Sequence, residues 1–248
     1  MPANDNIITG RHYLTGEMVR VCIDGGLITE MSAIRTSVDS ELIIAPGLVD
    51  LQVNGYAGHD LNTDPLLPQT VKEIAVRLWR EGVTTFFPTI ITNSSDNISR
   101  SLAAIAEACR SYPEAASAVG GIHLEGPFIS PEDGARGAHP AEYVVPPDWE
   151  LFCRWQEACN GMIRIITLSP EWPSSADFIR KAAESNVIVS IGHTAAKPEQ
   201  IREAVDAGAL LSTHLGNGSH AMLPRHRNYL REQLAADELY ATIISDGF

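Results

Sequence analysis

From Pro46 onward, short apolar runs alternate with longer stretches of helical spacing, and no other feature of the sequence restricts the fold as much. Leu48 to Val53 reads as a strand, and Val71, Ile74, Ala75 and Leu78 follow on one helix face. Val83 to Phe87 is the next strand, and Ile98, Leu102, Ile105, Ala106 and Cys109 mark the next helix face. Further strands are predicted at Ala118 to Leu124, Ile163 to Leu168, Val187 to Ile191, Leu210 to Thr213 and Ala241 to Ser245. The clearest late helix begins near Pro198 and uses Ile201, Ala204 and Val205. Repeated strand-then-helix units require a parallel sheet with helices packed outside it. About seven strands are predicted, one short of a closed barrel, so the expected fold is an α/β, TIM-type (β/α)8 barrel that is incomplete here. A doubly wound open sheet is the structural alternative, weakened because no GxGxxG fingerprint follows the first strand. Ser130 to Asp148, rich in Pro and Gly, is too long for a simple turn and reads as an active-site loop.

The first 45 residues have another texture. Apolar runs at Met18 to Ile23, Leu27 to Met31 and Leu42 to Ala45 are separated by turn signals such as Asp24-Gly25-Gly26, which predicts a small β structure of hairpins. The expected division is therefore 1–45 and 46–248. A chain of 248 residues, 44% of them hydrophobic, can bury a large core. A net charge of −13 argues against a broad basic surface for nucleic acid or anionic lipid, but leaves room for a local Arg and His cluster on an anionic substrate. Cys22, Cys109, Cys153 and Cys159 are scattered without a CxxC pair, which favours thiols over a disulfide framework. The opening MPANDNIITG has no basic segment followed by an apolar one, and no apolar run approaches the ~18 residues of a membrane span. A cytoplasmic protein with no membrane partner is expected.

Chemistry enters where polar residues end the predicted strands. Glu125 closes GIHLEGPF's apolar run, His193 follows Val187 to Ile191 in VSIGHT, and His214 follows Leu210 to Thr213 in LLSTHLGNG. In a parallel barrel the C-terminal strand ends are the face where functional groups converge. A lone His after a strand is ordinarily a hydrogen-bonded structural residue, and a lone Glu there a solvated or capping one. Three at three strand ends suit a divalent cation such as zinc, with a fourth position left for water. Such a cation lowers the pKa of water from 15.7 to about 7 and polarises a carbonyl, the two effects that amide hydrolysis needs.

Four motifs carry a family resemblance: APGLVDLQVNG (45–55), GIHLEGPFIS (121–130) with RGAHP (136–140), GHT (192–194) and THLGN (213–217). In these and in their order the chain resembles the N-acetylglucosamine-6-phosphate deacetylase family of the amidohydrolase superfamily. The resemblance spans essentially the whole chain and implies a barrel carrying a small β-sandwich built from both chain ends. It implies Glu125, His193 and His214 as metal ligands. Where many amidohydrolases have a His-x-His that holds a second metal, this sequence reads Gln52-Val53-Asn54, so one divalent metal is expected: zinc first, with iron, cobalt or manganese as alternatives. Ala138 and His139 match the substrate loop, with the histidine beside the scissile acetamide. Asn217 and Gly218 match positions that hold the sugar phosphate. Arg225 matches an arginine that reaches a neighbouring subunit's active site, which implies a homodimer; His226 and Arg227 follow it directly. The implied reaction takes N-acetylglucosamine 6-phosphate, a phosphorylated N-acetyl amino sugar, to glucosamine 6-phosphate and acetate in amino-sugar catabolism.

The chain departs from the pattern in two places. Family text close to HLFNAM is here HLGNGSHAM, which keeps another N-acyl or cyclic amide open as the substrate. The family's general base is an aspartate after the eighth strand, whereas this sequence reads ISDGF at 244–248, in a segment resembling a DG-x-His motif. Asp246 is out of register for the base, and a C-terminal truncation that lowers activity is expected. A non-catalytic metal- or sugar-binding fragment is the alternative from another class. His123 lies two positions before Glu125 on the same strand face, as a support for the site or as a buried hydrogen-bonded residue. His12 and His59 read as surface residues, and His220 as a candidate for the pocket wall.

Overall fold

The structure is a computed structural model that describes residues 6–35 and 41–246. Two compact units are present, Met1–Gly47 and Leu48–Phe248. In the first, β1 (Asn6–His12), β2 (Met18–Asp24), β3 (Leu27–Ala33) and β4 (Ile43–Ile44) form one sheet in the order β3-β2-β1-β4. The β2–β3 hairpin turns on Gly25 and Gly26, with φ of 57° and 81°. Two successive positive φ angles match the twist of the flanking strands and suit glycine. Strand β1 was not anticipated, because NIITGRH mixes its few apolar residues with polar ones and a glycine.

The second unit is built on seven parallel strands. They are β5 (Leu48–Val53), β8 (Val83–Ile91), β9 (Ile122–Glu125), β10 (Ile163–Leu168), β11 (Ile188–Ile191), β12 (Ala209–Ser212) and β13 (Tyr240–Ala241), in the order β13-β12-β11-β10-β9-β8-β5. A small hairpin, β6 (Gly55–Tyr56) with β7 (His59–Asp60), follows β5. The helices are α1 (Pro68–Arg80), α2 (Ser95–Ser111), α3 (Pro113–Ala118), α4 (Trp149–Ala158), α5 (Ser175–Glu184), α6 (Pro198–Asp206) and α7 (Tyr229–Ala235). Strand order follows chain order throughout, as in a curled, all-parallel barrel sheet that has not closed. The doubly wound alternative would have reversed direction at a switch point.

Periodicity explains the packing. Helix α1 buries Val71, Ile74, Ala75 and Leu78, the face expected from their spacing, and Pro68 opens it where no backbone donor is needed. Each fully buried Leu or Ile contributes about 1.5–3 kcal/mol, and Ile74→Ala in this core costs about 2–5 kcal/mol. Helix α2 starts on Ser94, whose side chain accepts from the Asn97 amide, and buries Ile98, Leu102, Ile105 and Ala106. The strand expected from Ala118 begins only at Ile122: Ala118 ends α3, and Gly120-Gly121 separates helix from strand. The last strand is also shorter than the run Ala241 to Ser245, covering Tyr240–Ala241. Ser130 to Asp148 is a loop containing one short 3-10 turn, Ala141–Tyr143, and all four cysteines are free. No helix among the described residues is long and apolar enough to cross a membrane.

Candidate metal centre

Strand direction brings the three predicted ligands together. Glu125 is the last residue of β9, His193 lies two residues past β11, and His214 lies two residues past β12. One ligand atom from each falls within 4.8 Å of the others. Nε2 of His214 is 3.0 Å and Nε2 of His193 is 3.3 Å from Glu125 Oε1. Both histidines hold a left-handed backbone, with φ of 48° at His193 and 29° at His214. A non-glycine residue adopts that region at a cost, and such strain clusters where a side chain must be aimed.

The donor set fits a cation. His193 Nδ1 faces the Ala135 carbonyl at 3.1 Å, and a carbonyl can only accept, so Nδ1 carries the proton. The His193 Nε2 then lies 3.3 Å from a carboxylate oxygen of Glu125, a spacing that a proton or a metal ion between the two satisfies. His214 Nδ1 is buried without a hydrogen-bond partner among the described residues, so its ring is oriented from the Nε2 side. Burial opposes ionisation of Glu125, but hydrogen bonds from His193 and His214, with the charges of His193 and His123, outweigh it and hold the carboxyl well below its usual range. Gln52 adds a third contact to Glu125 Oε1, donating from Nε2 at 2.9 Å.

His139 is buried beside this set. Its Nε2 is 3.3 Å from His193 Nε2 and 3.9 Å from Glu125 Oε2. Its Nδ1 lies 2.9 Å from the Thr92 hydroxyl. The Thr92 hydroxyl also donates to the Glu125 carbonyl at 3.4 Å, and the Nε2 of His139 faces the centre. Burial first, then the neighbouring His193, lowers the His139 pKa to about 4, so the ring is neutral near pH 7. Arg136 steadies the loop by donating to the His139 carbonyl at 2.7 Å and pairing with Asp133.

The other predicted positions lie farther out. Ala138, Asn217 and Arg225 are exposed, and Arg227, two residues past Arg225, pairs with Glu199. Gly218 has φ +56°, and a Cβ there would come within 2.6 Å of the His193 ring, so its position is one of close approach to a ligand. His220 bonds the Tyr229 hydroxyl and faces Glu132, linking two rim loops. His123 is buried, and burial lowers its pKa. Two contributors escaped sequence reasoning. The Glu171 carboxylate accepts from the Ser130 and Ser169 hydroxyls and the Ala195 amide, which ties three rim loops around His193. Thr92, beyond the end of β8, orients His139. A polar residue just past an apolar strand was the only available signal for either.

A profile of the Amidohydrolase family matches residues 43–236, and the chain belongs to that family. Within it, N-acetylglucosamine-6-phosphate deacetylase of Bacillus subtilis (strain 168) is 36% identical over 218 residues, covering 86% of this chain and 53% of the relative. N-acetylgalactosamine-6-phosphate deacetylase of Escherichia coli O157:H7 is 30% identical, covering 97% of this chain and 63% of the relative. The crystal structure of N-acetylglucosamine-6-phosphate deacetylase from Pasteurella multocida superposes with a TM-score of 0.82 at 25% identity, covering 97% of this chain and 64% of that one. The chain thus spans between about half and two thirds of the length of these relatives.

Proposed function

We propose that this chain carries the metal centre and much of the substrate face of a deacetylase that releases acetate from N-acetylglucosamine 6-phosphate. The convergence of Glu125, His193 and His214 within 4.8 Å at three strand ends carries the reading, in a chain whose relatives bear deacetylase names. Glu125, His193 and His214 hold one divalent cation, zinc by the nitrogen and oxygen donor set. Lewis acidity is what that cation supplies when bound, lowering the pKa of water and polarising the acetamide carbonyl.

The protein's own groups do the rest. His193 is fixed by its bond to Ala135, which keeps its Nε2 lone pair aimed inward. His139, with its Nε2 facing the centre, polarises the acetamide oxygen, while Thr92 holds the ring. Arg225 and the Asn217-Gly218 turn receive the 6-phosphate, Arg225 doing so across a homodimer, with Ala138 lining the approach. Proton transfer falls to the aspartate that the family places after the eighth strand. The location proposed is the cytoplasm, and the domains are proposed as a β-sandwich portion, 1–45, and a barrel, 46–248.

A second reading keeps the metal chemistry and changes the sugar. The HLGNGSHAM segment places Gly218 against His193, and two relatives bear the galactosamine name. Acetate and amine release from N-acetylglucosamine 6-phosphate, its galactosamine epimer, both unphosphorylated sugars and an N-acyl amino acid tests the two. Preference for the glucosamine phosphate supports the first reading. Turnover of the N-acyl amino acid alone overturns both.

A further inference from the structure

Beneath the candidate ligands lies a row of buried polar side chains that the proposed chemistry does not use. His123 on β9, Thr167 on β10, Ser190 on β11 and Thr213 just past β12 are each at most 3% exposed. His123 Nδ1 is 2.9 Å from the Leu51 carbonyl on β5, and its Nε2 is 2.7 Å from the Thr167 hydroxyl. Thr167 and Thr213 hydroxyls are 2.6 Å apart, and Ser190 and Thr213 hydroxyls 2.5 Å apart. Five strands are tied through four side chains.

The contacts have one direction. A carbonyl only accepts, so His123 donates from Nδ1 and, uncharged, accepts at Nε2 from Thr167. The Thr167 proton is then committed, so Thr213 donates to Thr167 and Ser190 donates to Thr213. Thr167 and Thr213 meet across β11 only because Gly192 lies between them: a Cβ at Gly192 would stand 2.8 Å from both Thr167 Cγ2 and Thr213 Cβ. Three of the four members are close in sequence to a candidate ligand, and Thr167 on β10 joins them. His123 precedes Glu125 by two residues, Ser190 precedes His193 by three, and Thr213 adjoins His214.

We propose that this relay, Ser190 to Thr213 to Thr167 to His123 to the Leu51 carbonyl, sets the spacing of the three ligand-bearing strand ends, with Thr167 and His123 as positioning residues for the metal ligands. Apolar side chains would fill the same volume but would not fix strand separation by bonds of 2.5 to 2.9 Å. The inference rests on the metal reading proposed above.

The test measures zinc affinity of the 248-residue chain by competition with a chromogenic chelator, alongside the visible spectrum of its cobalt(II) form. Thr167→Val keeps shape and loses the hydroxyl; Thr167→Ser keeps the hydroxyl. Groups that orient metal ligands typically contribute 10- to 100-fold in affinity, so Thr167→Val is expected to bind zinc that much more weakly and to shift the cobalt bands. Thr167→Ser is expected within a few fold of the unaltered chain. The double variant Thr167→Val/Thr213→Val should be little worse than either single one, since each cuts the same relay. Wild-type affinity and an unshifted spectrum in Thr167→Val would overturn the proposal, as would equal losses in the Val and Ser variants. If Thr167→Val does not fold, Thr213→Val against Thr213→Ser makes the same comparison. Failure of the unaltered chain to bind zinc would instead strike the metal reading itself.

Discussion

Gln52 donates a 2.9 Å hydrogen bond to the carboxylate oxygen of Glu125 that both His193 and His214 also approach. A neutral amide thus occupies the place from which a second imidazole could bind metal. The double substitution Gln52→His/Asn54→His should raise zinc content from about one per chain towards two. Content unchanged at one would show that something other than these amides limits the count.

Gly218 touches His193 so closely that a methyl group there displaces the ring. Gly218→Ala should also incur roughly 1–2 kcal/mol for a side chain in left-handed backbone. We expect at least a tenfold loss of zinc affinity, read by chelator competition. Unaltered affinity would mean that the ring can shift without losing its role.

Acidification should destabilise the chelator-treated protein. The pKa of His139 is lowered to about 4 from 6.5, so between those values the unfolded chain binds more protons and stability rises with pH. Falling from pH 6.5 to 4 should cost on the order of 3 kcal/mol. Glu125, held well below 4.5, acts in the same sense: its contribution is present above the unfolded pKa and lost as pH falls. Urea unfolding at several pH values should show this slope, and His139→Gln should flatten it. An equal slope in that variant would assign the titration elsewhere.

If Arg225 reads a 6-phosphate, Arg225→Ala should damage turnover of the phosphorylated sugar far more than that of the free sugar. Losing a charge-assisted bond costs roughly 1.5–3 kcal/mol, about ten- to over a hundredfold. Equal losses on both substrates would remove Arg225 from phosphate recognition.

Much of the frame could be read from the chain because strand and helix periods differ. Val71, Ile74, Ala75 and Leu78 specify a helix face wherever they occur, and a parallel sheet then places Glu125, His193 and His214 on one rim. What stayed hidden depends on tertiary neighbours. Ala118 suits either a helix end or a strand start, and only the glycines after it decide. Thr167 and Thr213 look like ordinary strand formers, and nothing local shows that β11 lets them meet at Gly192. Glu171 gathers Ser130, Ser169 and Ala195 from separate loops, a relationship no spacing encodes.

Metal content, measured by elemental analysis after dialysis against trace zinc, tests the central claim most directly. The unaltered chain should carry about one zinc ion, and His193→Ala and Glu125→Gln should each carry far less while keeping the far-ultraviolet circular dichroism of the parent. Equal zinc in the parent and both variants, or none in the parent, would contradict a cation held by Glu125, His193 and His214.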